Sequence, residues 1–257
     1  MSAVSLAIHQ FRYDQKVFWR NPASVFFTVL LPVIFLFIFA EIFGNDEIEQ
    51  LGGIKTTTYY VPAIITLGVV SATTQSLAIR LATDRENGIL KRSRGTPLPS
   101  WVFIAGRIGN AIVISVLGLV VVAGLGRIIY GVEIPWDRAP AVLVTLTVGA
   151  AAFCCIGVAL TVIIPSQDAA PAITNAALLP LYFLSGIFIP ETEIPSGILH
   201  FADVFPIRHF FEAFFTAWSP LTQGAGFEWG HLAIVAAWGL AALLIAVRTF
   251  RWTPRAS

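Results

Sequence analysis

Hydrophobic residues in this chain gather in long blocks. Six can be marked, at about 23–43, 59–82, 101–125, 140–164, 171–190 and 231–250. Each holds roughly the 20 residues that a helix needs to cross the ~30 Å hydrocarbon layer of a bilayer. A helix pairs its own backbone groups in lipid. The pattern therefore predicts an all-α integral membrane protein, with six transmembrane helices forming a single domain over 1–257.

Two further stretches have helical period without being spans. In 4–19, Val4, Ala7, Ile8, Phe11 and Phe18 fall along one side, and Gln10, Arg12, Asp14 and Lys16 lie elsewhere. That is the pattern of an amphipathic helix lying in the membrane interface. Asn21-Pro22 closes it, because the residue before a proline avoids helical angles. Between the fifth and sixth blocks, Pro206 can open a helix on which Phe210, Phe211, Phe214, Phe215 and Trp218 recur at helical spacing. So aromatic an outer helical segment is expected to dip into the interface or pack on the spans. The likeness of "LLPVIFLF" at 30–37 to "LLPLYFL" at 178–184 reads as chance between two proline-containing spans.

Composition supports the membrane class: 56% of residues are hydrophobic and 12% charged, against about a quarter charged in a soluble domain. An even number of spans puts both termini on one side, and the distribution of Lys and Arg chooses which. With the termini cytoplasmic, only Lys55, Arg127, Arg138 and Arg208 of the 16 basic residues face outward, where most acids also lie. Residues 1–22 lack the compact apolar core of a signal peptide. Cys154 and Cys155, adjacent in an apolar run, offer no disulfide framework.

Several chemistries are missing. No Gly-Lys pair exists, so no P-loop can form to hold phosphates. The histidines have no His-Glu-x-x-His zinc spacing, and His200 and His209 read as polar tips at the interface. There is no Gly-x-Ser-x-Gly elbow. Arg80 and Arg107 fall near inner span ends, where Arg107 can snorkel to water. No resident cofactor or metal and no nucleic-acid partner is expected, and transport or scaffolding takes precedence over catalysis.

The densest polar chemistry is "DRENGILKRSRGTPLPSW", residues 84–101, between the second and third blocks. Gly88 permits a turn, Pro97 and Pro99 stiffen the exit, and Trp101 suits an interface anchor. A loop serving only orientation needs basic residues and nothing else. This one mixes both signs with Ile89, Leu90 and prolines, so docking of an aqueous partner stands beside orientation signal and plain connector.

The run Glu86-x-Gly88-x-Leu90-x-Arg92-x-Arg94-x-Thr96-Pro97-Leu98, leading into Trp101 and Gly106-Arg107, resembles the permease subunits of type-2 ABC transporters, in particular the bacterial drug-efflux branch. Phe205-Pro206-x-Arg208-His209 lies where drug-type members often have a similar run. Asn87 and Ile89 stand where a basic residue and a threonine are often seen. The resemblance implies a bacterial cell-membrane permease exporting a hydrophobic or amphipathic small molecule or lipid. The N-terminal helix and Asp84, Arg85, Glu86, Gly88, Leu90, Arg92, Arg94, Thr96, Pro97 and Leu98 would contact a separate ABC ATPase, two copies of which carry ATP and Mg. The inner turn at 165–168 would add a smaller contact. A second copy of the permease, or a close relative, would pair with this one, the second and fifth spans lining the substrate path.

Those spans offer Thr66, Ser71, Thr73, Thr74 and Gln75 in one, and Asn175, Leu179, Tyr182 and Gly186 along one face of the other. Pathway lining and ordinary helix-to-helix hydrogen bonding both suit such residues. A membrane anchor or scaffold without its own path is the competing reading. An intramembrane lipid enzyme lacks an acid–base constellation.

Overall fold

The computed structural model describes residues 3–26, 30–44, 46–94 and 100–249. Helix dominates it. α1 (Ala3–Trp19) is followed by the single turn α2 (Pro22–Val25) and by α3 (Leu31–Phe43). β1 (Glu47–Ile48) and β2 (Ile54–Lys55) form a small antiparallel hairpin, with Glu47 opposite Lys55. α4 (Thr56–Val70), a π-turn at Ser71–Gln75 and α5 (Ser76–Glu86) make one continuous run, and α6 (Ile89–Arg94) is short. α7 (Ser100–Tyr130), α8 (Ala139–Leu160), α9 (Ala170–Leu184), α10 (Ser196–Ala202), α11 (Pro206–Trp218) and α12 (Trp229–Thr249) complete the chain.

By length and composition, four helical stretches among the described residues can cross a membrane: Thr56–Glu86, Ile104–Tyr130, Trp136–Leu160 and Trp229–Arg248. They correspond to the second, third, fourth and sixth blocks. The first and fifth blocks contain the shorter apolar helices α3 and α9, of 13 and 15 residues. At 1.5 Å per residue these rise only about 20 and 22 Å. Residues 27–29 of the first block lie outside the described residues. The bundle carries Val120, Leu240, Leu244 and Val247 more than half exposed, as suits faces whose solvent is lipid rather than water.

α4 is buried along almost its whole length against α3, α7, α8 and α11. α8 packs closely on α12, where a Cβ on Gly239 would come within 2.7 Å of Ala152. Small residues at such crossings let backbones approach. α11 resolves the alternatives left for the aromatic segment: it packs on the spans, with Phe210, Phe211, Phe214 and Trp218 all buried. The ring of Phe210 takes the space above Gly149, where a Cβ would lie 2.2 Å from it.

His209 is not an interfacial tip. It is buried, with Nε2 2.7 Å from the Asp203 carbonyl and Nδ1 2.8 Å from Nδ1 of His231. A carbonyl only accepts, so Nε2 carries a proton, and a neutral His209 accepts from His231 through Nδ1. His200, by contrast, is exposed and meets the Ser196 carbonyl of its own helix.

Candidate functional site: the α6 end and the π-turn

α1 lies along α7, with Phe11 against Gly109 and Gln15 donating to Asn110 at 3.0 Å. This brings Asp14, fully buried, into a cluster of charges from three elements. Arg107 Nη1 lies 3.1 Å and Arg80 Nη2 3.4 Å from Asp14 Oδ1. Asp84 Oδ2 takes Arg107 Nη2 at 3.4 Å and Arg80 Nε at 3.9 Å. Two acids and two bases so arranged are close to neutral, which is how four charges are tolerated together. Arg107 therefore does not snorkel to water; it is 5% exposed and paired inside.

The next two residues are also turned inward. Arg85 is buried and donates to the carbonyls of Thr161, at 3.1 Å, Ile164, at 2.7 Å, and Pro165, at 3.2 Å. These carbonyls belong to the turn that follows α8, so Arg85 ties α5 to that turn. Glu86 accepts the backbone N–H of Gln167 at 2.7 Å and fixes the turn that follows. Gly88 then reverses the chain at φ +69°, a conformation costly for any side chain. Leu90 is buried beside Leu77, Leu81, Ala111, Val158 and Ala246.

The segment read as one handle thus divides. Asp84, Arg85, Glu86 and Leu90 brace α6 from within. Asn87, Ile89, Lys91 and Arg92 are exposed. Thr96, Pro97, Leu98 and the side chain of Arg94 lie outside the described residues.

The same helical run carries the π-turn. Thr73 donates to its own Val69 carbonyl at 2.7 Å, and Thr74 to the Phe153 carbonyl of α8 at 2.9 Å. Gly157 makes room: a Cβ there would sit 2.8 and 2.9 Å from the carbonyl oxygens of Thr73 and Thr74. Ser71 and Tyr182 hydroxyls are 3.1 Å apart, and Gln75 donates to Asn175 at 2.6 Å. The π-turn is thereby tied to α9 at two levels. The expected face of α9 splits: Asn175 and Leu179 are exposed, whereas Tyr182 and Gly186 are buried. Of the six candidate pathway residues, Gln75, Asn175 and Leu179 reach the surface of this chain, and Thr73, Thr74 and Tyr182 are internal.

At the opposite, hairpin end, Tyr59 donates to the Gly186 carbonyl, and Tyr60 to that of Phe188 at 3.3 Å. Beside them Arg208 binds Asp203 at 2.6 Å and Glu191 at 2.9 Å, with Glu212 at 3.8 Å. Burial pushes the Glu212 carboxyl up to about 7; Glu191 adds to the rise, Arg208 opposes it and Asp203 adds a little more. Asp14, Arg80 and Arg107 are the members of the buried charge cluster that sequence reasoning did not assign to a site. The i,i+4 spacing of Arg80 and Asp84 is a readable signal. The approach of Asp14 is not, because it depends on how α1 docks.

Comparison with known proteins gives a match to the family model described as ABC-2 type transporter, over residues 10–217. YvfS of Bacillus subtilis (strain 168), named as a transport permease, is 23% identical over 234 residues, covering 91% of this chain and 92% of that protein. The daunorubicin resistance ABC transporter permease protein DrrB1 of Streptomyces coeruleorubidus is 25% identical over 212 residues, 81% of this chain and 73% of its own length. The inner membrane transport permease YadH of Escherichia coli (strain K12) is 23% identical over 180 residues, 67% and 69% of the two chains.

Proposed function

The chain belongs to the ABC-2 type transporter family and is a multi-pass transport permease, and on that footing we propose that it is the membrane subunit of an ATP-driven exporter whose ATPase is a separate chain. Such permeases generally pair with an ATPase subunit. The observation that carries the proposal is the construction of α6. Its outward residues Ile89, Lys91 and Arg92 present an apolar and basic patch, while Leu90 and the Asp14–Arg80–Asp84–Arg107 cluster root it in the spans. A push on such an element moves α5 and, through it, the π-turn and the Gln75–Asn175 contact with α9. Two ATPase copies holding ATP and Mg would supply that push. Two permeases would pair so that the exposed α9 face, with Asn175 and Leu179, borders a shared path.

The substrate is a hydrophobic or amphipathic compound. Gln75, Asn175 and Leu179 are uncharged, and the relative named for daunorubicin resistance is a drug-type permease. Transport runs outward from the cytoplasm or inner leaflet of a bacterial cytoplasmic membrane, with both termini inside. Work is done only if the ATP-bound partner favours one state of the permease over the other.

The test is purification from the native membrane in mild detergent, comparing wild type with Ile89→Asp and Lys91→Glu/Arg92→Glu. All three positions are exposed, so folding is expected to survive. An ATP-binding protein should accompany wild type and be lost from both variants. If none accompanies a dimeric wild type, the coupling proposal fails. An ATPase that binds while changes at Asn175 and Leu179 leave export intact would favour a scaffold without its own path.

A further inference from the structure

A further candidate region lies at the hairpin end, remote from α6. The hairpin, the segment between α7 and α8, and the end of α11 with the residues after it line an open cavity of about 350 Å³. That is within the range of roughly 300–1,000 Å³ typical of small-molecule sites. Its wall carries five charges: Glu47, Lys55, Glu133, Asp137 and Arg138. Ile54, Ile134 and Leu221 supply apolar surface.

The charges are unevenly satisfied. Arg138 Nε donates to Asp137 at 3.2 Å and Nη1 to the Ser219 carbonyl, which fixes its guanidinium; Nη2 has no partner among the described residues. Glu47, Glu133 and Lys55 make no ion pair or side-chain hydrogen bond among the described residues. The indole N–H of Trp218, a wall residue only 2% exposed, is also without a partner there. Donors and acceptors thus stand open around one small volume. A singly charged ligand would leave one set unmet. A ligand with both charges satisfies both, and this is the basis of discrimination by unpaired polar groups.

We propose that this cavity is a binding site for a small zwitterion, its ammonium held by Glu47 and Glu133 and its carboxylate or phosphate by Lys55 and Arg138. The site is separate from the α6 end and requires neither an ATPase nor transport. Two sources share this chemistry: a free amino-acid-like compound and the headgroup of an aminophospholipid.

Titration calorimetry of the purified full chain in zwitterion-free detergent distinguishes them. The probes are leucine, O-phosphoethanolamine, and two singly charged analogues of leucine, isopentylamine and 4-methylpentanoate. At least one zwitterion should bind, at least tenfold more tightly than either analogue. Leucine as the tighter ligand points to a free compound, and O-phosphoethanolamine to a headgroup. Lys55→Gln and Glu133→Gln, both at exposed positions, should each weaken that zwitterion tenfold or more, and only Glu133→Gln should also weaken the amine. Absence of binding by both zwitterions at millimolar concentration overturns the proposal. So does an analogue that binds as well, or a zwitterion affinity unchanged in both variants.

Discussion

Asp14 shows what one side chain can hold together. It is what α1 brings to the buried charge cluster, and both Arg80 and Arg107 lean on it. Breaking a buried pair by removing one partner typically costs about 3–5 kcal/mol, because an uncompensated charge is left behind. Asp14→Asn keeps the shape and removes the charge, so its melting temperature in detergent should fall clearly. An unchanged melt would mean that α1 is not anchored through this residue. Glu212 predicts the opposite sign. Its carboxyl is raised to about 7, so it favours the folded state fully below the ordinary value near 4.5, and that contribution is lost as pH rises through about 7. The groups around it are Glu191, Asp203, Arg208 and, from α4, Tyr59; His231 of α12 stands beyond His209. Glu212→Gln should therefore stabilise the protein at pH 8 by about 1–2 kcal/mol more than at pH 5, taking a fraction of the ~1.4 kcal/mol per pKa unit. Melting curves of both proteins across that range give the difference, and a constant offset would show that Glu212 does not titrate there.

At the scale of elements, the π-turn between α4 and α5 sets the rotation of everything below it. It holds one residue more per turn than an α-helix. Deleting Ala72 would let the run close as a regular helix and turn α5 by about 100°. Asp84, Arg85 and Glu86 would then swing away from Arg107, Thr161 and Gln167. The deletion should yield a poorly folded protein, whereas Ala72→Gly, which keeps the count, should not; size-exclusion profiles of the two compare them directly. Nothing in the sequence announces this turn, because Ser71–Gln75 differs from a plain helix by one hydrogen-bond step. The helices themselves were legible, since long apolar blocks leave few other structures possible in lipid. The aromatic period of α11 was equally plain. Its burial was not, because Gly149, which admits Phe210, is some sixty residues away. In the same way, residues 84–92 were legible as a polar element but not as two faces. Which charge turns inward depends on carbonyls of Thr161 and Ile164 that only the packing of α8 brings near.

For the whole molecule, the structure gathers α1, α6, the turn after α8 and the last turns of α12 at one end, and the hairpin and α11 at the other. Ala246 of α12 packs with Leu81 and Leu90, and Arg85 reaches Pro165. Two ends of unlike charge make a sharp statement about sidedness. Basic residues cluster at the α6 end, and the positive-inside rule predicts a cytoplasmic position for that end. The helices α3 and α9 are too short to settle this by length. Single cysteines can. Lys91→Cys at the α6 end and Trp136→Cys at the hairpin end are both exposed positions, and the native Cys154 and Cys155 are buried. In intact cells whose outer face of the cytoplasmic membrane is accessible, a membrane-impermeant maleimide should label Trp136→Cys and spare Lys91→Cys; inverted vesicles should reverse the pattern. Phe43→Cys, at the hairpin-side end of α3, should label with Trp136→Cys if the first apolar block crosses. Labelling of Phe43→Cys with Lys91→Cys instead would contradict the stacking of Phe43 on Tyr60, which holds the end of α3 at the hairpin side of α4. Labelling of Lys91→Cys from outside would invert the molecule, place α6 where no cytoplasmic ATPase could reach it, and remove the physical basis for coupling.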